Sequence, residues 1–199
     1  MIRAKEASVN TVKAIAARRS IRRFKKDPIP REAIDKILLA GSLAPSAKNR
    51  QPWRFTVVEG AKRDEMIEEM RAAIAAREQE GEDVGSSKGT LGSMGQAPVT
   101  VFVHNPAGCH PWLAREANAS WLELADVQSI GAAIENMLLT AQDLGIGSLW
   151  IADVWAAYPE LNRWLGRDDQ MVAAVSFGYA DEAPPARPRK RQSEIVTYL

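Results

Sequence analysis

The chain has 199 residues, 46% of them hydrophobic, which is long and apolar enough for one sizeable core. Its 26 Lys+Arg against 25 Asp+Glu leave a formal net charge of +1, so no global field recruits nucleic acid or an anionic membrane. The single cysteine, Cys109, excludes an internal disulfide and a cysteine-clustered metal site. No apolar run reaches membrane-spanning length and MIRAKEASVN has no signal-peptide core, so the expectation is a cytoplasmic protein.

Val9, Val12, Ile15 and Ala16 recur at helical spacing and lead into the basic stretch RRSIRRFKKDPIP, which Pro28 and Pro30 close. A second helix follows over 31–43, with Ile34, Ile37, Leu38 and Ala40 on one face. In APSAKNRQPW, Pro45 and Pro52 restrict the backbone, so 44–53 is a shaped surface loop rich in hydrogen-bond donors. RFTVVEG has the β-branched content of a buried strand, and 61–79 is a charged helix with Met66, Ile67, Met70 and Ile74 inward. Residues 80–97 are rich in Gly and Ser with little periodicity, which suggests a mobile loop or lid. PVTVFVH resumes the sheet.

Downstream, 125–147 is helical, with Val127, Ile130, Ile134, Met137, Leu138, Ala141 and Leu144 on one side. A helix this apolar around its circumference belongs inside something. SLWIADV is a short strand, 156–165 a short helix and MVAAVSFGYA another strand. The last segment, DEAPPARPRKRQSEIVTYL, is proline-rich and basic and should travel along a surface. One mixed α and β domain accounts for residues 1–199.

Simple motifs do not account for this chain. GTLGSMG lacks the spacing of a dinucleotide fold and the ending of a P-loop. His104, Cys109 and His110 are too few for a zinc site or a Cys–His nucleophile. Trp53, Trp112, Trp121, Trp150, Trp155 and Trp164 are not interleaved with basic residues, which favours core or interface positions over base stacking. Asp126, Glu135 and Asp153 have no paired spacing for acid–base work, and helix capping or a solvated face explains them as well. What remains is Arg18, Ser20 and Arg22, which share a side if the segment is extended, together with the late Arg187 and Arg189. Two guanidiniums flanking a hydroxyl suit a phosphate and its polar tether. A solvated charge run has the same spacing.

Taken together, RRSIRRF, PIPREAIDKILLAGSLAPSAKNRQPWRFTVV, SIGAAIENMLLTAQDLGIGSLWIADV and PPARPRKR resemble the FMN-dependent nitroreductase family, in order and over nearly the whole chain. The resemblance implies an α+β, three-layer sandwich, its mixed and mostly antiparallel sheet flanked by helices, in an intertwined homodimer with FMN at the interface. It implies that Arg18, Arg19, Ser20 and Arg22 bind the flavin phosphate, ribityl chain and pyrimidine edge, and that Arg187 and Arg189 hold phosphate. Pro45, Ser46, Asn49 and Gln51 would contact the flavin bound mainly to the other subunit, and 181–199 would pack on that subunit. Trp150, Ile151, Ala152 and Asp153 align with the segment beside flavin N5. Many members carry Glu-Gly where this chain has Ala152 and Asp153, a departure that bears on the side-chain contribution there. An Asn and a Lys that some members place near the pyrimidine edge have no counterpart in 80–97.

The activity implied is reduction of nitroaromatic, quinone or similar small-molecule acceptors with NADH or NADPH, by a ping-pong mechanism on one flavin face. No protein nucleophile is required and no nucleic acid or membrane is involved. Other flavin chemistry of the same superfamily, such as reductive dehalogenation or flavin fragmentation, and a non-catalytic FMN-binding role remain the alternatives.

Overall fold

The computed structural model describes residues 11–114 and 117–199, so Val9 and the first ten residues lie outside it. Four strands, β1 (Arg54–Glu59), β2 (Val99–Asn105), β3 (Gly147–Ile151) and β4 (Gln170–Gly178), form one sheet in the order β1-β2-β4-β3. All three pairings are antiparallel, and a single parallel bridge between Ser20 and Ser148 makes the sheet mixed. β2 is buried throughout because strands flank it and helices cover both its faces. β1, by contrast, was expected to be buried; it lies at the edge and pairs only with β2, so Val58 alone is buried in it.

The side-chain period of two divides the sheet into two cores. Val99, Val101 and Val103 of β2 and Ala173, Val175 and Phe177 of β4 point to one face, where α2 (Arg31–Ser42) and α5 (Ala117–Asp143) lie. Ile34 and Ile37 of α2 meet Ile130, Ile134 and Met137 of α5 there. Gly41 lets the two helices approach: a Cβ on it would stand 2.8 Å from Met137 Cγ. Asn136 adds a 3.1 Å hydrogen bond to the Ala40 carbonyl. Phe102, Leu149 and Ile151 face the opposite way, toward α3 (Ala61–Gln79), α4 (Ser87–Gln96) and α6 (Tyr158–Trp164). Met66, Ile67, Met70 and Ile74 are the buried stripe of α3, at the spacing the sequence shows. Each fully buried side chain of this kind contributes about 1.5–3 kcal/mol of transfer free energy.

A helix occupies much of the stretch that lacks periodicity. Residues 87–96 form α4, with Ser87, Ser93 and Met94 buried, where the sequence suggested little regular structure. α5 begins well before the apolar stretch at 127–144, and its early turns expose Trp121, Leu122 and Leu124. β3 ends at Ile151, earlier than the expected 154, and a 3₁₀ turn at Trp155–Ala157 leads into α6.

α1 (Thr11–Ala17) delivers the chain to the sheet edge, where Ile21 N donates to Ser148 O and Lys25 N to Tyr179 O. The segment fits because two glycines opposed in register, Gly147 and Gly178, leave a slot. A Cβ on Gly147 would lie 3.0 Å from Ile21 Cγ1, and one on Gly178 would lie 2.7 Å from Phe24 Cδ1. The chain ends in an extended tail and the short α7 (Gln192–Ile195).

Candidate functional site

The Ser20 bridge holds residues 18–22 extended beside β3, and the tail returns along them. Arg18, Arg19, Ser20, Arg22, Arg187 and Arg189 line one groove of about 870 Å³. That volume falls within the roughly 300–1,000 Å³ of ligand sites. The groove combines five guanidiniums with one hydroxyl, a donor set suited to an anionic, hydroxylated ligand such as a nucleotide phosphate on its sugar chain. Arg18 Nε is 3.6 Å from Glu135 on α5. Arg19 Nη1 turns back to donate to the Ala16 and Arg18 carbonyls, both at 2.8 Å, and so closes the end of α1. Glu182 accepts from the backbone N–H groups of Arg22 and Arg23, which fixes where the tail leaves the body.

Pro45, Ser46, Asn49 and Gln51 stand on the loop after α2, and they do not line this groove within the same chain. The loop makes one 3₁₀ turn, Ala47–Asn49, and places Lys48, Asn49 and Gln51 at φ of 52°, 54° and 50°. Left-handed backbone costs a non-glycine residue roughly 1–2 kcal/mol, so the surroundings must impose this shape. Gln51 N donates to Ser46 Oγ at 3.0 Å, and Ala47 N donates to Ser129 Oγ of α5 at 3.3 Å. Arg50 Nε and Nη2 each donate at 3.0 Å to the two oxygens of Asp126. The Asp126 side chain is 2% exposed and that of Arg50 37%. This hydrogen bonding, with the Asp126 charge behind it, raises the Arg50 pKa further above its ordinary value.

Trp150, Ile151, Ala152 and Asp153 form the end of β3 and the turn after it. Ile151 is buried and Ala152 is exposed. Trp150 is half exposed and lies beside Gly131 of α5, where a Cβ would sit 3.7 Å from the indole. Asp153 accepts hydrogen bonds from Ser86, from Ser87 at 3.4 Å and from Thr90 at 3.1 Å. A carboxylate thus sits at the start of α4, where the helix dipole favours negative charge.

Two acidic residues therefore have partners that sequence spacing did not reveal. Asp126 is the buried partner of Arg50, neither a cap nor a solvated residue, and Asp153 caps no backbone N–H but gathers the hydroxyls of Ser86, Ser87 and Thr90 at the start of a helix the sequence does not advertise. Only the donor-rich composition around Arg50 signalled its role. Among the tryptophans, Trp53 is buried in the α2/α5 core and Trp164 packs against the other, but Trp112, Trp121, Trp150 and Trp155 are exposed. His104 is a fully buried core residue. Asn162 Nδ2 donates to Asp169 O, which leaves Asn162 Oδ1 to accept from His104 Nε2 at 3.2 Å. The proton is therefore on Nε2, Nδ1 has no partner, and burial pushes the His104 pKa down. Among the described residues no group of three His, Cys, Asp or Glu could hold a metal ion, and no helix is long and apolar enough to cross a membrane.

The sequence pattern of the Nitroreductase family matches residues 15–179, and the chain belongs to that family. It is 35% identical over 179 residues to a provisionally named NADH dehydrogenase/NAD(P)H nitroreductase of Archaeoglobus fulgidus, covering 84% of each chain. It is 30% identical to the 5,6-dimethylbenzimidazole synthase of Rhodospirillum rubrum, over 84% of this chain and 81% of that one. The crystal structure of a nitroreductase with bound FMN from Bacteroides fragilis superposes with a TM-score of 0.71, at 27% identity, covering 96% of this chain and all of the other.

Proposed function

We propose that the protein is an FMN-dependent oxidoreductase that takes electrons from NADH or NADPH and passes them to nitroaromatic, quinone or similar small acceptors. The observation that carries this reading is the groove in which residues 18–22 and 187–189 of a Nitroreductase-family chain converge. Bound there, FMN supplies hydride acceptance at N5 and onward transfer of the electrons. Arg18, Arg187 and Arg189 hold its phosphate, since planar forks grip phosphate oxygens in pairs. Ser20 binds the ribityl chain. Arg22 sets positive charge at the pyrimidine edge, where negative charge develops on reduction. The backbone of residues 150–153 would lie beside N5 of a bound flavin, while the Asp153 side chain is turned to α4.

The loop residues Pro45, Ser46, Asn49 and Gln51 serve the flavin of a second copy in a homodimer. Their absence from the groove of their own chain supports this, as do the exposed Trp112, Trp121 and Trp150. A visible spectrum of the purified protein, followed by anaerobic NADH or NADPH, tests the reading. Yellow colour that bleaches and is restored by a nitroaromatic or quinone, with parallel double-reciprocal plots, is the expected result. Colour that does not bleach points to a binding protein, and no flavin affinity overturns the proposal. A second reading, synthesis of 5,6-dimethylbenzimidazole, is favoured by the identity to the Rhodospirillum rubrum enzyme. Chromatography of an aerobic reaction with reduced flavin decides whether that product forms.

A further inference from the structure

We infer that Arg50 is a positioning residue: through its paired hydrogen bonds to Asp126 it holds Ser46, Asn49 and Gln51 in the arrangement that meets the flavin. The inference rests on the flavin-binding reading above. Two residues of the loop tie it to the body, one on either side of Lys48 and Asn49. Ala47 and Arg50 are fastened to Ser129 and Asp126, one turn apart on α5. Ser129 is itself fixed by donating to the Ala125 carbonyl at 2.8 Å. α5 cannot yield easily, because Ile130, Ile134 and Met137 just beyond are fully buried.

The remaining side chains are left for a ligand. Asn49 makes no side-chain hydrogen bond among the described residues, and the Gln51 carboxamide reaches only the Asn49 carbonyl at 3.5 Å. Ser46 Oγ accepts from Gln51 N, so its own hydrogen remains to donate. Arg50 has φ −66° between left-handed Asn49 and Gln51, so it is the point from which both neighbours are aimed. Its two-pronged contact fixes orientation as well as distance, which a lysine would not do. Asp126 in turn is buried, and without Arg50 it would be a buried carboxylate lacking its charge partner.

The test compares the wild type with Arg50→Ala, Arg50→Gln and Arg50→Lys in the full-length chain. FMN affinity is read by quenching of flavin fluorescence, the setting of the bound flavin by its visible circular dichroism, and folding by far-ultraviolet circular dichroism and melting temperature. Arg50→Ala and Arg50→Gln should bind FMN about tenfold more weakly or worse, with an altered flavin dichroism band, at temperatures where the far-ultraviolet spectrum is that of the wild type. Arg50→Lys should fall between. If Arg50→Ala does not fold, the other two variants carry the same expectation. Wild-type affinity and an unchanged flavin band in the folded variants, whatever their melting temperatures, would overturn the inference alone. A wild type that binds no FMN would overturn the flavin reading and this inference with it.

Discussion

The 44–53 loop and the 183–191 tail supply opposite sides of the proposed site, and they differ in how they are held. The loop is fixed to α5 by Arg50 and Ala47, and internally by the Gln51–Ser46 hydrogen bond. The tail makes its last backbone contact with the body at Asp181, and Glu182 takes the last side-chain contacts. Residues 183–190 make no hydrogen bond or ion pair to the rest of the chain, among the described residues. The loop is thus organised within its own chain before any ligand arrives, whereas the arginines of the tail are fastened by nothing in their own chain and depend on the ligand or a second copy. Ordering by the ligand subtracts from affinity, so the tail needs charge where the loop needs only shape.

The largest expected effect breaks or upholds that contrast directly. Arg18→Ala and Arg187→Ala should each weaken FMN binding by roughly ten- to a hundredfold, since a lost charged hydrogen bond is worth about 1.5–3 kcal/mol. Fluorescence titration measures this. Arg187→Ala should leave the melting temperature of the flavin-free protein unchanged, and a clear fall would mean that the tail is fastened without its ligand. A smaller effect places α4 on the same scale. Asp153→Ala removes an acceptor shared by the hydroxyls of Ser86, Ser87 and Thr90 and should cost about 0.5–1.5 kcal/mol, the net worth of a typical hydrogen bond. For a chain of this size that lowers the melting temperature by about 2–4 °C per kcal/mol, with FMN affinity little changed. An unaltered melting curve would show that α4 does not depend on this carboxylate.

The smallest effect comes from the interior and sets the baseline for both regions. Burial holds the His104 pKa below its ordinary 6.5. The unfolded chain then takes up a proton that the folded one refuses, so stability should fall as pH drops through about 6.5 and should not depend on this group above it. Urea midpoints between pH 7 and 5 should show that slope in the wild type and a flatter one in His104→Gln. Equal slopes would remove His104 as its source.

Sequence reasoning recovered elements whose burial follows a period and missed those held by distant partners. Met66, Ile67, Met70 and Ile74 mark α3 because one stripe meets one core. α4 is Gly- and Ser-rich and has no such stripe; its buried Met94 and the Asp153 carboxylate, contributed from beyond β3, hold it instead. The residues of the groove were legible only through the family resemblance, since the alternation of 18–22 fits a solvated charge run equally well and nothing local said that 187–189 would lie against them. Asp126 was illegible for a related reason. Its partner lies in another loop, and one buried carboxylate on an apolar helix looks like any other acidic residue until Arg50 is placed.

The opposed pair Gly147 and Gly178 has a bearing on how this chain can vary. Neither residue lines the 870 Å³ groove, yet Ile21 and Phe24 rest in the space their missing side chains leave. Arg22 lies between those two contacts, and Ser20 and Arg18 just before them. A methyl group at either glycine would lift the segment away from the sheet and carry its cations with it. On the proposed function, drift at these two positions is constrained by a ligand they would never touch, and a variant there would present as a binding defect in a protein whose groove residues are all intact.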